Sequence, residues 1–375
     1  MRAFLLTLFF LTEISLIACP CSSFKLISGS ANPALAQEIA EELHMELTPV
    51  TLTRFNDGEM KIKIEENIRN AQVFVIQSLC TTEQSTINDN ILELYLLIRT
   101  LKRASAEQVC AVIPYYGYAR QDRKTESRVP ISASDIAMLI ENAGADSVMC
   151  VDLHCGQIQG FFHSTPVDNL YTAPLFVRYF ANKKDLVHPV VVSPDAGGVE
   201  RSKKFLEGLS WQGIDAGLAI IIKQRARAGV IEKMSLVGDV AGCDAIIIDD
   251  MCDTAGTLVQ AAQELVNHGA RRVFACITHP LFSGPALERI AHSCITELVV
   301  TDTIPRREMW PTNIVSVSVA PLLAEAIERT HNGESVSHLF SFAKASSSPP
   351  QTDYLMDQTP LAHTLLEEDL DEEAI

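Results

Sequence analysis

With 375 residues, the chain is long enough for two domains of ordinary size, each with its own hydrophobic core. Its 47% hydrophobic and 21% charged residues are typical of a soluble α/β protein. The net charge of −17 argues against a general nucleic-acid-binding protein, which needs excess Lys and Arg to neutralise phosphates. Eight acidic and no basic residues lie in 353–375, so about half of this charge belongs to the C-terminal end.

The ten cysteines form no C-x-x-C pair and no Cys/His spacing typical of a zinc site. Several of them, including Cys110, Cys150 and Cys276, lie inside apolar runs, where a thiol serves as a small hydrophobic side chain. We therefore expect a reducing, cytoplasmic compartment and no disulfide framework.

From Phe24 onward, strand-like apolar runs alternate with helical patterns, which predicts parallel sheets covered by helices. In the first half we expect strands at 25–28, 73–78, 109–114 and 147–153, with helices at 32–43, 90–104 and 134–142. The pattern then restarts, with strands at 189–193, 217–223, 245–249, 272–279 and 297–301, and helices at 198–206, 258–268 and 322–331. Two βαβ series of similar length predict two tandem α/β domains.

The predicted domain organisation has five parts. They are a hydrophobic extension at 1–23, a first domain at 24–169, a second domain at 170–319, a helical segment at 320–342 that completes the first domain, and a disordered acidic tail at 343–375.

The most informative segment is the strand that runs from Ala245 to Ile248 and ends in Asp249 and Asp250. A loop of small and hydroxyl residues, Asp253–Thr257, separates these acids from the next predicted helix. Backbone N–H groups at a helix N-terminus favour a phosphate, and the two carboxylates can accept hydrogen bonds from vicinal ribose hydroxyls. The segment predicts a site for a phosphorylated sugar, and a plain strand–turn–helix unit with an acidic turn is the alternative.

Two other strands are followed by basic residues. The loop 114–124 (PYYGYARQDRK) combines aromatic residues, glycine and cations, so it can close positive charge over a polyphosphate. The apolar strand 217–223 brings Lys223 and Arg225 to a sheet edge. There Arg offers a planar fork for phosphate oxygens, and Lys offers a point charge. A solvated loop and an ordinary strand end are the respective alternatives.

Two more strand ends carry polar side chains. One leads into Asp152 and His154, and the other into Asp195, which is followed by Gly197 and Gly198. The glycines let a ligand approach the backbone, whereas a glycine-rich turn without a ligand is the alternative. Carboxylate oxygens together with phosphate oxygens suit Mg²⁺.

Taken in this order, the motifs resemble those of ribose-phosphate diphosphokinases of the phosphate-activated class I type, from about Phe24 to Phe340. The segment 245–257 is similar to the phosphoribosyl-pyrophosphate loop that these enzymes share with type I phosphoribosyltransferases, and Arg120-Gln121-Asp122 resembles their catalytic flexible loop. The resemblance implies two tandem type I phosphoribosyltransferase-like domains, each a mainly parallel sheet flanked by helices. Departures lie at 124–127, at Gly156 and at 163–166, where one extra residue is expected.

The implied reaction transfers the pyrophosphoryl group of ATP to the C1 hydroxyl of ribose 5-phosphate, giving 5-phosphoribosyl 1-pyrophosphate and AMP for nucleotide biosynthesis. By resemblance, ATP is bound by Phe55, Asp57, Glu59, Arg120, Gln121 and His154. Ribose 5-phosphate is bound by Asp249, Asp250, Asp253, Thr254, Ala255, Gly256 and Thr257. Lys223 and Arg225 are the implied catalytic residues, and His154 and Asp195 the implied ligands of Mg²⁺.

The resemblance also implies a homohexamer. It gives Phe55, Asp57 and Glu59 a role in holding adenine across a subunit boundary. It further implies that Asp152 orients His154 or lies close to the ribose. Asn169 and the segment 337–340 fall where the family has its regulatory phosphate or ADP region.

Two alternative functions share part of this pattern. A nucleobase phosphoribosyltransferase carries the loop at 245–257, but it is normally a single domain without the Arg-Gln-Asp loop for ATP. A non-catalytic regulatory subunit would have lost residues on the ATP side, whereas His154, Asp195, Lys223 and Arg225 are all present. We therefore favour the enzyme.

The N-terminal segment has two interpretations. An apolar run from Ala3 to Ala18 precedes Cys19, which resembles a secretory or lipoprotein signal. An exported enzyme would lack ATP, so we favour a non-native upstream start or an atypical extension, and we expect no membrane partner for the folded body.

Overall fold

The computed structural model describes residues 24–224, 233–340 and 342. The predicted N-terminal extension, Arg225 and the predicted acidic tail lie outside the described residues, and only the backbone of Lys223 is described. Within the described part, no helix is long and apolar enough to cross a bilayer.

The first half forms a five-stranded parallel sheet and a separate hairpin. In chain order its elements are β1 (Lys25–Ser28), α1 (Pro33–Glu42), β2 (Val50–Arg54), β3 (Met60–Ile64), β4 (Gln72–Ile76), α2 (Ile87–Arg103), β5 (Gln108–Ile113), α3 (Ser132–Ala143), β6 (Ser147–Val151), a 3₁₀ segment (Gly156–Phe161) and β7 (Val167–Leu170). The sheet order is β1-β4-β5-β6-β7, and β2 pairs only with β3, in antiparallel fashion.

The second half forms a seven-stranded sheet. Its elements are α4 (Ala173–Ala181), β8 (Val190–Ser193), α5 (Val199–Trp211), β9 (Gly217–Gln224), β10 (Lys233–Val237), β11 (Asp244–Cys252), α6 (Gly256–Asn267), β12 (Arg272–Pro280), α7 (Ala286–Ala291), β13 (Ile295–Thr301), β14 (Ile314–Val317), α8 (Ala320–His331) and a 3₁₀ segment (Val336–Phe340). The order is β10-β9-β8-β11-β12-β13-β14, parallel except for β10.

The central strands are apolar throughout because helices cover both faces of each sheet. One hydrophobic cluster joins the two halves: it contains Phe74 and Val112 of the first sheet and Ile246 and Phe274 of the second. Helices α1, α4, α5 and α8 contribute to the same cluster. The two sheets therefore share a core, which fixes the position of one set of strand ends relative to the other.

The predicted α/β fold of mainly parallel sheets flanked by helices is confirmed. Several elements differ from the expectation. The elements that were not predicted are the hairpin β2–β3, β7, α4, β10, α7 and β14. In addition, β11 runs on to Cys252 instead of ending at Asp249. The division at residue 169 falls within β7, and the domain boundaries stay a prediction.

A partly buried polar contact links α1 to the second sheet. The Ser318 hydroxyl lies 2.7 Å from Oε2 of Glu38 on α1 and 2.6 Å from Oδ2 of Asp302, which follows β13. A hydroxyl donates one proton, so one of these two carboxyl groups must itself carry a proton. Burial raises the pKa of Asp302 to about 7, and burial also raises the pKa of Glu38, with Glu41 and Glu42 as further acidic neighbours.

We predict that Asp302→Asn reduces the pH dependence of stability. The native state holds a proton that the unfolded chain releases near pH 4, so the free energy of unfolding falls as the pH rises from about 4 to about 7. The slope is up to about 1.4 kcal/mol per pH unit for one proton. Urea unfolding at pH 5, 6 and 7 measures it for the native protein and the variant.

Asn mimics the neutral acid, so this slope should be smaller in Asp302→Asn than in the native protein and unchanged in the control Asp57→Asn, a change at an exposed acid. If the free energy of unfolding falls with pH equally steeply in the native protein and in Asp302→Asn, the prediction is contradicted.

Candidate active site

The carboxyl ends of β6, β8 and β11 open into one cavity of about 680 Å³, called here the central cavity. Both halves of the chain line it. The lining includes Arg120, Asp122, Asp152, His154, Asp195, Arg201, Lys204, Asp249, Asp250, Thr278 and all five residues of the loop 253–257. Within the second sheet, the parallel strands β8 and β11 deliver the residues that follow them to one edge. The core shared by the two sheets brings the end of β6 to the same place.

Most of the residues predicted to bind ligands meet in the central cavity. They are Arg120, His154, Asp195, Asp249, Asp250, Asp253, Thr254, Ala255, Gly256 and Thr257. The backbone of Lys223 lies near the end of β9, which pairs in parallel with β8, so it belongs to the same sheet edge.

Other predicted residues lie outside this lining. Gln121 accepts a hydrogen bond from Ser132 at 2.6 Å. Phe55, Asp57 and Glu59 lie at the tip of the β2–β3 hairpin, where the Phe55 side chain is 52% exposed. Their role across a subunit boundary stays a prediction.

Asp250 makes the most constrained contacts in the central cavity. Its Oδ2 accepts a 2.7 Å hydrogen bond from Nδ1 of His154, and its Oδ1 lies 3.4 Å from Nη1 of Arg201. Burial opposes ionisation of Asp250, but the bond from His154 and the charge of Arg201 hold the pKa of this carboxyl well below its usual range. The same hydrogen bond raises the pKa of His154.

The pKa of the neighbouring Asp249 is shifted in the opposite direction. Burial and then the charge of Asp250 raise its pKa well above the usual value. Its Oδ1 accepts the backbone N–H of Asp250 at 2.9 Å. The two adjacent acids therefore differ in proton affinity, and both remain able to accept hydrogen bonds from a ligand's hydroxyl groups.

The loop 253–257 is anchored on several sides. Ala255, with φ of 58°, adopts the left-handed conformation immediately before α6 begins at Gly256. Arg289 donates to the Thr254 carbonyl at 2.9 Å, and Ser283 N–H donates to the Asp253 carbonyl at 2.9 Å. With the carbonyls of Asp253 and Thr254 engaged by these donors and the N-terminus of α6 directly following, the loop can present N–H groups to a phosphate.

Arg120 connects the two predicted half-sites. Its Nη1 donates to Oδ2 of Asp253 at 2.7 Å, so the predicted ATP loop contacts the predicted sugar-phosphate loop across the cavity. The neighbouring Asp122 accepts a 3.1 Å hydrogen bond from the Cys155 thiol, which ties the same loop to the segment after β6.

One of the two expectations for Asp152 is wrong: Asp152 does not orient His154, because the His154 side chain contacts Asp250 instead. The other, a position close to the ribose, stays a prediction, and Asp152 lines the central cavity. The Asp152 carboxylate is buried and accepts hydrogen bonds from the hydroxyls of Thr172 and Thr278, the latter at 2.7 Å. Since Thr278 lies on β12, Asp152 joins the first sheet to the second at the floor of the cavity.

The cavity lining also contains residues that were not predicted, and Arg201 and Thr278 are the two with the most informative contacts. Their contacts span 49 and 126 positions of the sequence, so no local pattern reveals them. One feature of the sequence could have pointed to Arg201: it is a cation in the first turn of a helix that follows a predicted strand.

The described residues contain no group of three or more His, Cys, Asp or Glu side chains arranged to hold a metal ion. His154 and Asp195 both line the cavity, and Oδ1 of Asp195 accepts the N–H groups of Gly197 and Gly198 at 2.8 and 2.9 Å. A metal bound here would need further ligands from substrate or water.

Two domain families match the chain. The N-terminal domain of ribose phosphate pyrophosphokinase matches residues 24–144, and the phosphoribosyl synthetase-associated domain matches residues 221–341.

Similar proteins extend over nearly the same length. The ribose-phosphate pyrophosphokinase of Caldanaerobacter subterraneus subsp. tengcongensis is 50% identical over 321 residues, which cover 85% of this chain and 98% of that protein. The enzyme of Bacillus subtilis is 49% identical over 320 residues, with the same coverage. The crystal structure of phosphoribosylpyrophosphate synthetase from Mycobacterium smegmatis superposes with a TM-score of 0.76 at 37% identity, covering 83% of this chain and 99% of that one.

The fold, the site and the similar proteins together show that this protein is an enzyme. Its class is that of the α/β transferases of the kinase type. The chain belongs to the ribose-phosphate pyrophosphokinase family.

We predict that Thr278→Val lowers the free energy of unfolding by about 1–3 kcal/mol, because the buried Asp152 carboxylate loses one donor while the side-chain volume is kept. Urea unfolding measures this change. The matched control is Thr330→Val on α8, whose hydroxyl bonds to the carbonyl of Ala326 one turn back; it should change stability by less than about 0.5 kcal/mol. Equal effects of the two substitutions would contradict the role given to Thr278.

Proposed function

We propose that the protein is a ribose-phosphate diphosphokinase that transfers the pyrophosphoryl group of ATP to the C1 hydroxyl of ribose 5-phosphate. The products are 5-phosphoribosyl 1-pyrophosphate and AMP. The observation that carries this proposal is the central cavity, in which Arg120 contacts Asp253 of the loop 253–257 and His154 contacts Asp250 of the acid pair. A protein that binds only one phosphorylated sugar has no need for the basic loop that carries Arg120.

Ribose 5-phosphate occupies the side of the cavity built by the second sheet. Its 5-phosphate lies against the backbone N–H groups of Asp253, Thr254, Ala255, Gly256 and Thr257 at the start of α6. Asp249 and Asp250 accept hydrogen bonds from the 2- and 3-hydroxyls. The anchored loop and the fixed carboxylates hold the sugar in one orientation, which points C1 toward the opposite wall.

ATP occupies the other side of the cavity. Arg120, Gln121 and His154 contact its polyphosphate, and Phe55, Asp57 and Glu59 of a neighbouring subunit hold the adenine. The exposed position of the hairpin tip, away from this chain's own cavity lining, supports that assignment. The proposed assembly is therefore a homo-oligomer, a hexamer by the family resemblance.

Mg²⁺ is the proposed cofactor, and the cavity residues fit it. Asp195 offers a carboxylate fixed by two backbone N–H groups, and Mg²⁺ commonly uses one or two carboxylates together with phosphate oxygens and water. Asp195 and His154 would hold it at the ATP phosphates. When bound, the ion supplies positive charge that offsets the negative charge of the polyphosphate.

In the proposed reaction, the C1 hydroxyl oxygen attacks the β-phosphorus in line, and the bond from that phosphorus to the oxygen of the α-phosphate breaks. Lys223, Arg225 and Arg120 stabilise the charge on the transferring group. Since this transition state is loose, positioning and charge contribute most, and no strong general base is required. Because its substrate ATP is available in the cytoplasm, we place the enzyme there.

We predict that the purified full chain forms AMP only when ATP, ribose 5-phosphate and Mg²⁺ are all present. Chromatography of the nucleotides should give AMP and phosphoribosyl pyrophosphate in equal amounts. A parallel reaction with a nucleobase plus phosphoribosyl pyrophosphate tests the phosphoribosyltransferase alternative and should yield no nucleotide. Absence of AMP from folded protein would refute the proposed function.

A further inference from the structure

Arg201 lies in the first turn of α5, directly after the turn that carries Asp195. A cation near a helix N-terminus is unfavourable for the helix itself, because the helix dipole places positive charge there. The side chain is nevertheless only 20% exposed and lines the central cavity. The position of Arg201 therefore has a cause other than the stability of α5.

That cause is the acid pair on the neighbouring strand β11. Nη1 of Arg201 lies 3.4 Å from Oδ1 of Asp250 and 4.0 Å from Oδ1 of Asp249. Within the described part of the chain, the ion pairs of these two acids come from Arg201 and His154. His154 contacts the other oxygen of Asp250, so Arg201 and His154 each hold one oxygen of that carboxylate.

The contact has a direct electrostatic consequence. Two adjacent carboxylates with little solvent around them repel each other, and a guanidinium within about 4 Å of both offsets this repulsion. Without it, Asp250 would keep the hydrogen bond from His154 at Oδ2 but lose the contact that holds Oδ1. The vicinal hydroxyls of a ribose need two carboxylates held in one fixed relation, because each accepts a directional hydrogen bond.

We propose that Arg201 is a positioning residue for ribose 5-phosphate, acting through Asp250 and Asp249 without contacting the sugar. This inference rests on the proposed function, since it assumes that these carboxylates bind the ribose hydroxyls. It adds a residue on α5 to the ribose 5-phosphate half of the site.

The test compares Arg201→Gln and Arg201→Lys with the native enzyme. Arg201→Gln should raise the KM for ribose 5-phosphate about tenfold or more, which corresponds to the loss of one charge-assisted contact, while the KM for ATP changes less than about twofold. Arg201→Lys keeps the charge and should recover most of the loss. Arg329→Gln is the matched control, because it removes a surface ion pair on α8 far along the chain. Thermal unfolding checks that each variant is folded.

A double-mutant cycle with Asp250→Asn separates positioning from direct binding. If Arg201 acts through Asp250, adding Arg201→Gln to Asp250→Asn should change the KM for ribose 5-phosphate less than about twofold. Two fully additive effects, or an unchanged KM in Arg201→Gln alone, would overturn the inference. Failure of the native enzyme to form AMP would instead overturn the proposed function, so the two failures are distinguishable.

Discussion

The site depends on the contact that holds the carboxylate of Asp250 between His154 and Arg201. His154 follows β6 of the first sheet, Asp250 lies on β11 of the second, and Arg201 comes from α5. The three side chains meet only when both sheets are correctly placed, so this contact requires the complete fold. A buried ion pair of this kind costs desolvation and contributes specificity of arrangement more than stability.

The shared hydrophobic cluster provides the required placement. It joins the sheets through α1, α4, α5 and α8, and buried apolar packing resists small displacements. Next to the cavity, Asp152 makes a second connection between the two sheets, through polar contacts to Thr172 and Thr278. Apolar packing thus sets the distance between the halves, and the buried polar contacts set the orientation of the side chains that face the ligand.

The sequence predicted the elements with a clear local pattern. Continuous apolar runs identified β4, β5, β8 and β11, and the acids and small residues after Ile248 indicated a sugar-phosphate site. The hairpin β2–β3 was missed because its strands are only partly buried and alternate Lys and Thr with apolar residues. Arg201 and the true partner of His154 were missed for a different reason: each contact joins residues far apart in the sequence, and only the topology brings them together.

The central claim is that one cavity holds both substrates, with the acid pair on the sugar side. A crystal structure with ribose 5-phosphate and a non-hydrolysable ATP analogue tests it most directly. The account predicts the 5-phosphate on the N–H groups of 253–257, ribose hydroxyls on Asp249 and Asp250, and the β-phosphorus in line about 3–3.5 Å from the C1 hydroxyl oxygen. A sugar phosphate bound away from this loop, or an ATP analogue outside the central cavity, would contradict the account.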